Sequence, residues 1–236
     1  MASMIRCAAL AASALLAVAS ASAAEKRFGL TSFEAIEVNA DVVVEVVTRA
    51  PVGAVASGSP DALDRLTVEA RDGRLVVGQK IYAGDENRRQ PLGPLTLRIN
   101  AANLRSATLV GAGSLQIDKL KGTRVTIGLR GPGRLIVGAV TSDRLAVAMV
   151  GNGTMTLGGA AKTAQMSLSG AGVVDAGGLT VDELITDSEG TGDHVFSAVK
   201  SAAITTRGVG STVVLGKPVC TVRNAGTGTV RCGVKK

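Results

Sequence analysis

The chain has 236 residues, of which 46% are hydrophobic but only four are aromatic (Phe28, Phe33, Tyr82 and Phe196), with 30 glycines and a formal net charge of +7. That length supports one sizeable core and a single domain, but with so little aromatic area the core must be filled by Val, Leu, Ile, Ala and Met in thin, similar layers. The basic residues are spread along the sequence without interleaved aromatics, which argues against nucleic-acid recognition.

Residues 1–24 read as an export signal. Arg6 supplies a short positive start, and Ala8 to Ala19 is an apolar run containing Leu10, Leu15, Leu16 and Val18. Ala21-Ser22-Ala23, or Ser22-Ala23-Ala24, is a small-residue cleavage site, so cleavage is expected near Ala23 or Ala24 and removes Cys7. The apolar run is too short to span a bilayer. Residues 25–236 are therefore expected as one exported domain, in the periplasm or at the cell surface, and not as an integral membrane protein.

Residues 31–105 read as irregular N-terminal coils that cap the stack. Phe33, Ile36 and Val38, then Val42, Val44 and Val46, alternate with polar residues as two strands around a bend at Asn39-Ala40-Asp41. Leu66–Ala70 and Leu75–Val77 flank the turn Arg71-Asp72-Gly73-Arg74 as a hairpin. Leu95–Ile99 is a further strand, and Arg49–Asp64 and Ala83–Pro94 read as loops.

Residues 106–233 form regular repeats. Gly-x-Gly recurs with its glycines at Gly111 and Gly113, Gly131 and Gly133, Gly151 and Gly153, Gly170 and Gly172, Gly190 and Gly192, Gly208 and Gly210, Gly226 and Gly228. The spacings are 20, 20, 19, 20, 18 and 18. The column two residues after each motif holds Leu115, Leu135, Met155, Val174, His194, Thr212 and Val230; four after lie Ile117, Val137, Leu157, Ala176, Phe196, Val214 and Cys232. Period-two alternation on both sides of each motif marks strands with one buried face. Each repeat is thus strand, glycine corner, strand, with a second bend near Gly138, Gly158, Gly177-Gly178 or Gly216. Columns that recur every 18–20 residues place like above like, which describes the coils of an all-β parallel solenoid, one chain wound about one axis.

The opening Phe33-x-x-Ile36-x-Val38, then Val42-x-Val44-x-Val46, the Leu75 hairpin and the Gly-x-Gly coils together resemble the auto-transporter adhesin head GIN domain family, over about residues 28–233. The resemblance implies a right-handed parallel β-helix and an adhesive role. It carries over no catalytic or binding residues, and nothing in the chain reads as the membrane-embedded barrel of an autotransporter.

Four carboxylates stand out near the later corners: Asp175, Asp187, Glu189 and Asp193, with Asp182 and Glu183 nearby. Carboxylates on one face of a β-helix can serve a polysaccharide lyase or hydrolase. Against that, a solvated face is expected, with Glu189 pairing with Arg207 one coil on, and aromatic platforms for a sugar are missing. His194 is the only histidine and falls in an apolar column, where it is expected to be a buried, hydrogen-bonded core residue and not a metal ligand. Gly-x-Gly lacks the third glycine and the following helix of a dinucleotide fingerprint, so no cofactor is expected. Cys220 and Cys232 fall in inward columns on the two strands of the last coil and are expected to form a disulfide worth roughly 3 kcal/mol.

The function these features favour is a non-enzymatic envelope or surface module, serving adhesion, scaffolding or binding, with an envelope polysaccharide or protein as partner. The alternative is a carbohydrate-active enzyme using the carboxylates of residues 175–193. Dispersed Lys and Arg read first as a solubility feature, with weak binding of anionic envelope polymers as a third reading. The open end of such a stack can add strands from a second copy, edge to edge.

Overall fold

The computed structural model describes residues 24–48, 51–80 and 94–235. The signal segment and most of the second loop lie outside these residues. The strands are β1 (Ala24–Phe28), β2 (Ala35–Val38), β3 (Val43–Thr48), β4 (Gly53–Gly58), β5 (Leu66–Arg71), β6 (Arg74–Gln79), β7 (Leu95–Ala101) and β8 (Ser106–Val110). There follow β9 (Ser114–Arg130), β10 (Arg134–Gly151), β11 (Thr154–Gly170), β12 (Val173–Gly190), β13 (His194–Gly208), β14 (Ser211–Gly216), β15 (Val219–Asn224) and β16 (Thr229–Val234). One short helix, α1 (Pro60–Arg65), interrupts them. The arrangement is a parallel β-solenoid of about six turns.

The repeat register is what stacks the coils. Leu135 pairs with Leu115 on one side and Met155 on the other, and Met149 sits between Leu129 and Leu168. In a parallel ladder these neighbours are about 4.8 Å apart, so each apolar column becomes a continuous interior ridge. Leu115, Leu135 and Met155 are all fully buried. The strands β9 to β12 run on through the second bend, where register shifts at Val137/Val140, Thr156/Gly158 and Asp175/Thr180 absorb the change of direction.

The two glycines of a corner have different duties. Gly151 has φ +122°, a conformation that strains any L side chain. A Cβ on Gly153 would lie 2.5 Å from the carbonyl oxygen of Gly133 and 2.8 Å from that of Gly131. Its role is close approach between successive corners. The first corner uses a carboxylate: Asp41 Oδ1 accepts from the Ala112 N–H at 2.9 Å, closing the Asn39-Ala40-Asp41 bend onto the first glycine corner.

The N-terminal coils depart from the sequence reading in two ways. Residues 49–64 are not simply a loop: they contain β4 and most of α1, started by Ser59, whose hydroxyl accepts from the Ala62 N–H, and by Pro60 in the first turn. The rungs also stack out of chain order. β3 lies between β7 and β9, and β2 between β6 and β8, so the rung formed by β6 and β7 sits below the rung formed by β2 and β3. Beyond β7, β4 and β1 add antiparallel, and β5 pairs antiparallel with β6 through the expected hairpin turn. Among the described residues no helix is long and apolar enough to cross a membrane.

Candidate functional site

The carboxylates singled out from the sequence do not converge. Asp187 points outward from β12 and binds the Arg207 guanidinium at 2.6 Å. Glu189 is the register partner of Arg207, yet the guanidinium reaches diagonally to Asp187 instead. The expected Glu189–Arg207 pair is therefore replaced by an Asp187–Arg207 pair. Asp175 accepts from the Gly177 N–H at 3.1 Å. Asp193 accepts from the hydroxyl of Ser211 at 2.7 Å and from its N–H at 3.1 Å, and these bonds hold its carboxyl below the usual range. Asp182 binds Lys200 at 2.8 Å. Three of these carboxylates, Asp182, Asp187 and Asp193, thus bind the adjacent rung, and Asp175 holds a turn within its own coil. No group of three or more His, Cys, Asp or Glu among the described residues could hold a metal ion.

His194 lies between Val174 and Thr212 and is 5% exposed. Its ring stacks on Phe196 with centroids 6.1 Å apart. Burial is as the column pattern predicts, and the Asp193 backbone hydrogen-bonds the imidazole, but Nδ1 has no protein partner and neither has Thr186 Oγ1. The cause is local, since the column neighbours are a valine and a threonine and the Asp193 carboxylate has turned outward to Ser211. Ser188, His194, Thr206 and Thr212 line a cavity of about 10 Å³ at this corner, room for one water-sized molecule.

This burial has a pH consequence. It pushes the imidazole pKa below its ordinary value, opposed by the nearby Asp193; Glu189 and Arg207 are the other charged groups lining the cavity. As pH falls, the unfolded chain takes up the proton first. The stability associated with neutral His194 is present in full above about pH 6.5 and declines as pH falls below it, by at most about 1.4 kcal/mol per pH unit. Urea midpoints measured at about pH 7.5 and about pH 5.5 should differ in the native chain and differ less in His194→Leu.

The larger concavities lie on another side, at the second bend. A groove of about 610 Å³ runs along the axis, with Lys121, Thr141, Ser142, Asp143, Lys162 and Asp182 among its lining residues. Lys121, Gly122 and Thr123 also line an adjoining hollow of about 460 Å³ that adds Glu34, Arg105, Arg124 and Arg144. Arg144 is in register with Arg124 on the neighbouring rung. Within this hollow the single carboxylate, Glu34, is taken by Arg105 at 2.7 Å. Winding the chain into coils thus gathers cations that are dispersed in the sequence. The signal was present in the repeat: Arg124 and Arg144 are one coil apart in a single outward column. Like charges stacked on neighbouring strands are unfavourable, so this wall of the hollow favours an anion lying along the axis. In the neighbouring groove, Lys162 and Asp143 form a neutral pair 2.7 Å apart.

Cys220 and Cys232 are joined as a disulfide with Cα atoms 6.4 Å apart. Both occupy inward columns, Cys220 beside Ala202 and Cys232 beside Val214. Cys220 is nevertheless exposed, because no further coil covers the last one.

Residues 32–218 match the family described as putative auto-transporter adhesin, head GIN domain. Among solved structures, the chain is similar to a putative adhesin from Bacteroides fragilis NCTC 9343, with a TM-score of 0.80 and 21% identity over 90% of this chain and 98% of that one. It is also similar to a putative lipid binding protein from Parabacteroides distasonis ATCC 8503, with a TM-score of 0.71 and 18% identity over 90% and 97% of the two chains. A putative adhesin from Parabacteroides merdae ATCC 43184 has a TM-score of 0.70 and 18% identity over 90% and 97%. At these identities the likeness is one of fold. No curated protein matches the sequence.

Proposed function

The chain belongs to the putative auto-transporter adhesin, head GIN domain family, and from that premise we propose that it is an exported, non-enzymatic binding module of the cell envelope whose basic hollow and groove hold an anionic polymer. The observation that carries this reading is the stacked pair Arg124 and Arg144, with Arg105 and Lys121 beside them and one carboxylate already spent on Arg105. An extended polyanion lying along the solenoid axis would meet Arg124 and Arg144 on two successive rungs, before the column passes to Thr163 and Glu183. The similarity to adhesins fits a role in attachment. The interior offers no room for a lipid acyl chain among the described residues: apolar columns fill the coils, and the pocket beside His194 holds only about 10 Å³. The carboxylates of the alternative, enzymatic reading are mostly committed to structural partners, with Asp187 on Arg207 and Asp193 on Ser211.

The test is binding to polygalacturonate, with neutral dextran as control, at low and high salt. The native chain should retain polygalacturonate at low salt and release it as salt rises. Arg124→Glu combined with Arg144→Glu should weaken binding about tenfold or more, equivalent to about 1.4 kcal/mol. Equal binding by the double variant would remove the hollow from the function. Turnover of the polymer, abolished by Asp187→Ala or Glu189→Ala, would replace this reading with the enzymatic one.

A further inference from the structure

The two ends of the solenoid are finished differently. At one end, α1 packs against β1 and β4, beyond the parallel rungs. At the other, β15 pairs only with β13 and β16 only with β14, so both strands present an unpaired backbone edge. Of the inward column residues of this last rung, Cys220 and Val222 are exposed and Val230 and Cys232 half-buried. Val222 is 44% exposed, whereas its neighbour Ile204 one rung below is 1% exposed. The disulfide between Cys220 and Cys232 ties the two strands together across the rung, so this edge is held in a strand-like conformation.

The charges on the rung are all of one sign. Several outward cations elsewhere bind carboxylates on the adjacent rung: Arg98 with Glu45 at 3.1 Å, Lys162 with Asp143 at 2.7 Å, Lys200 with Asp182 at 2.8 Å and Arg207 with Asp187 at 2.6 Å. After Asp193 the sequence contains no Asp or Glu, while Lys217, Arg223, Arg231 and Lys235 follow. Asp193 is itself engaged by Ser211. Among the described residues these four cations therefore have no carboxylate partner. The outward charges of β15 and β16 are thus all positive, beside a backbone edge with no paired strand.

We propose that the C-terminal rung is a docking site for an acidic, extended polypeptide segment that adds as one further strand along β15 and β16. Its backbone would satisfy the free edge, alternate apolar side chains would cover Val222, Val230 and the disulfide, and its outward carboxylates would pair with Arg223 and Arg231. A second copy of this chain is disfavoured as the occupant, because joining two such ends sets basic rung against basic rung. This goes beyond the polymer-binding reading and uses different residues, so either can fail without the other.

The experiment uses the full, oxidised chain and a short fluorescent peptide in which Val alternates with Glu, beside the same peptide with Lys for Glu. Fluorescence anisotropy should show binding of the Glu peptide alone, weakening as salt rises. Arg223→Glu with Arg231→Glu should weaken the Glu peptide about tenfold or more and allow the Lys peptide to bind, a gain that a misfolded variant could not produce. Arg124→Glu with Arg144→Glu should leave the Glu peptide unaffected. Equal binding of both peptides, or of neither, would overturn the proposal. So would sedimentation showing that the native chain self-associates through this end, or phosphatidylglycerol vesicles binding through Arg223 and Arg231 while the Glu peptide does not.

Discussion

Gly153→Ala, in the middle of the stack, is expected to destabilise the protein by on the order of 3 kcal/mol, measured as a lower denaturant midpoint with an unchanged slope. The new methyl would meet Gly133 O at 2.5 Å and Leu129 Cδ2 at 2.8 Å. The leucine can rotate away, but the carbonyl cannot, since it accepts from the Thr154 N–H at 3.0 Å and helps hold adjacent rungs together. Gly151→Ala should cost a similar amount for a different reason, the φ of +122°. Gly29→Ala is the control, because nothing lies within 4 Å of a Cβ there, and it should leave stability within about 0.5 kcal/mol. A Gly153→Ala chain as stable as the control would mean that the corners are not nested as described. Because each coil touches mainly its neighbours, the damage should also appear locally, as faster amide exchange around the corners at residues 131–133 and 151–153.

Removing the disulfide should have the next largest effect. The half-cystines are 12 residues apart, and opening a loop of that size releases roughly 3 kcal/mol of chain entropy to the unfolded state. The loss should be concentrated at one end. The last rung has a neighbour on one side only, and its inward residues are poorly covered. In Cys220→Ser with Cys232→Ser, amide exchange in β15 and β16 is expected to accelerate while β10 and β11 keep their protection. Uniform acceleration along the whole stack would show instead that the bridge supports global cooperativity. Because Cys220 is exposed, mild reductant should reach the bond without prior unfolding and give the same exchange pattern as the double variant.

The regular half of the molecule was readable because its information is local and repeated. Seven glycine corners at near-constant spacing, with the columns beside them, dictate the parallel register that sets Leu115 beside Leu135 and Leu135 beside Met155. The irregular half was not readable in the same way. Strand β4 reads Gly-Ala-Val-Ala-Ser-Gly, small residues with weak strand preference, and it is made a strand by pairing on both sides with β1 and β7. The out-of-order rungs, β2 with β3 and β6 with β7, share the same apolar alternation, so alternation cannot rank them along the axis.

The site divides along the same line. Which residues face inward and which outward follows from period two, and so the sequence determined that His194, Cys220 and Cys232 sit in interior columns and that Arg124 and Arg144 share an exterior one. Whether an inward residue is covered depends on there being a rung above it. Which carboxylate an arginine takes depends on side-chain reach across the ladder, as Arg207 shows by choosing Asp187 over its register partner. These are contacts between residues some twenty positions apart, made only once the coils are stacked. They left Cys220 exposed and the last rung basic and uncovered, and they assembled the dispersed cations into one wall, as only the tertiary structure could decide.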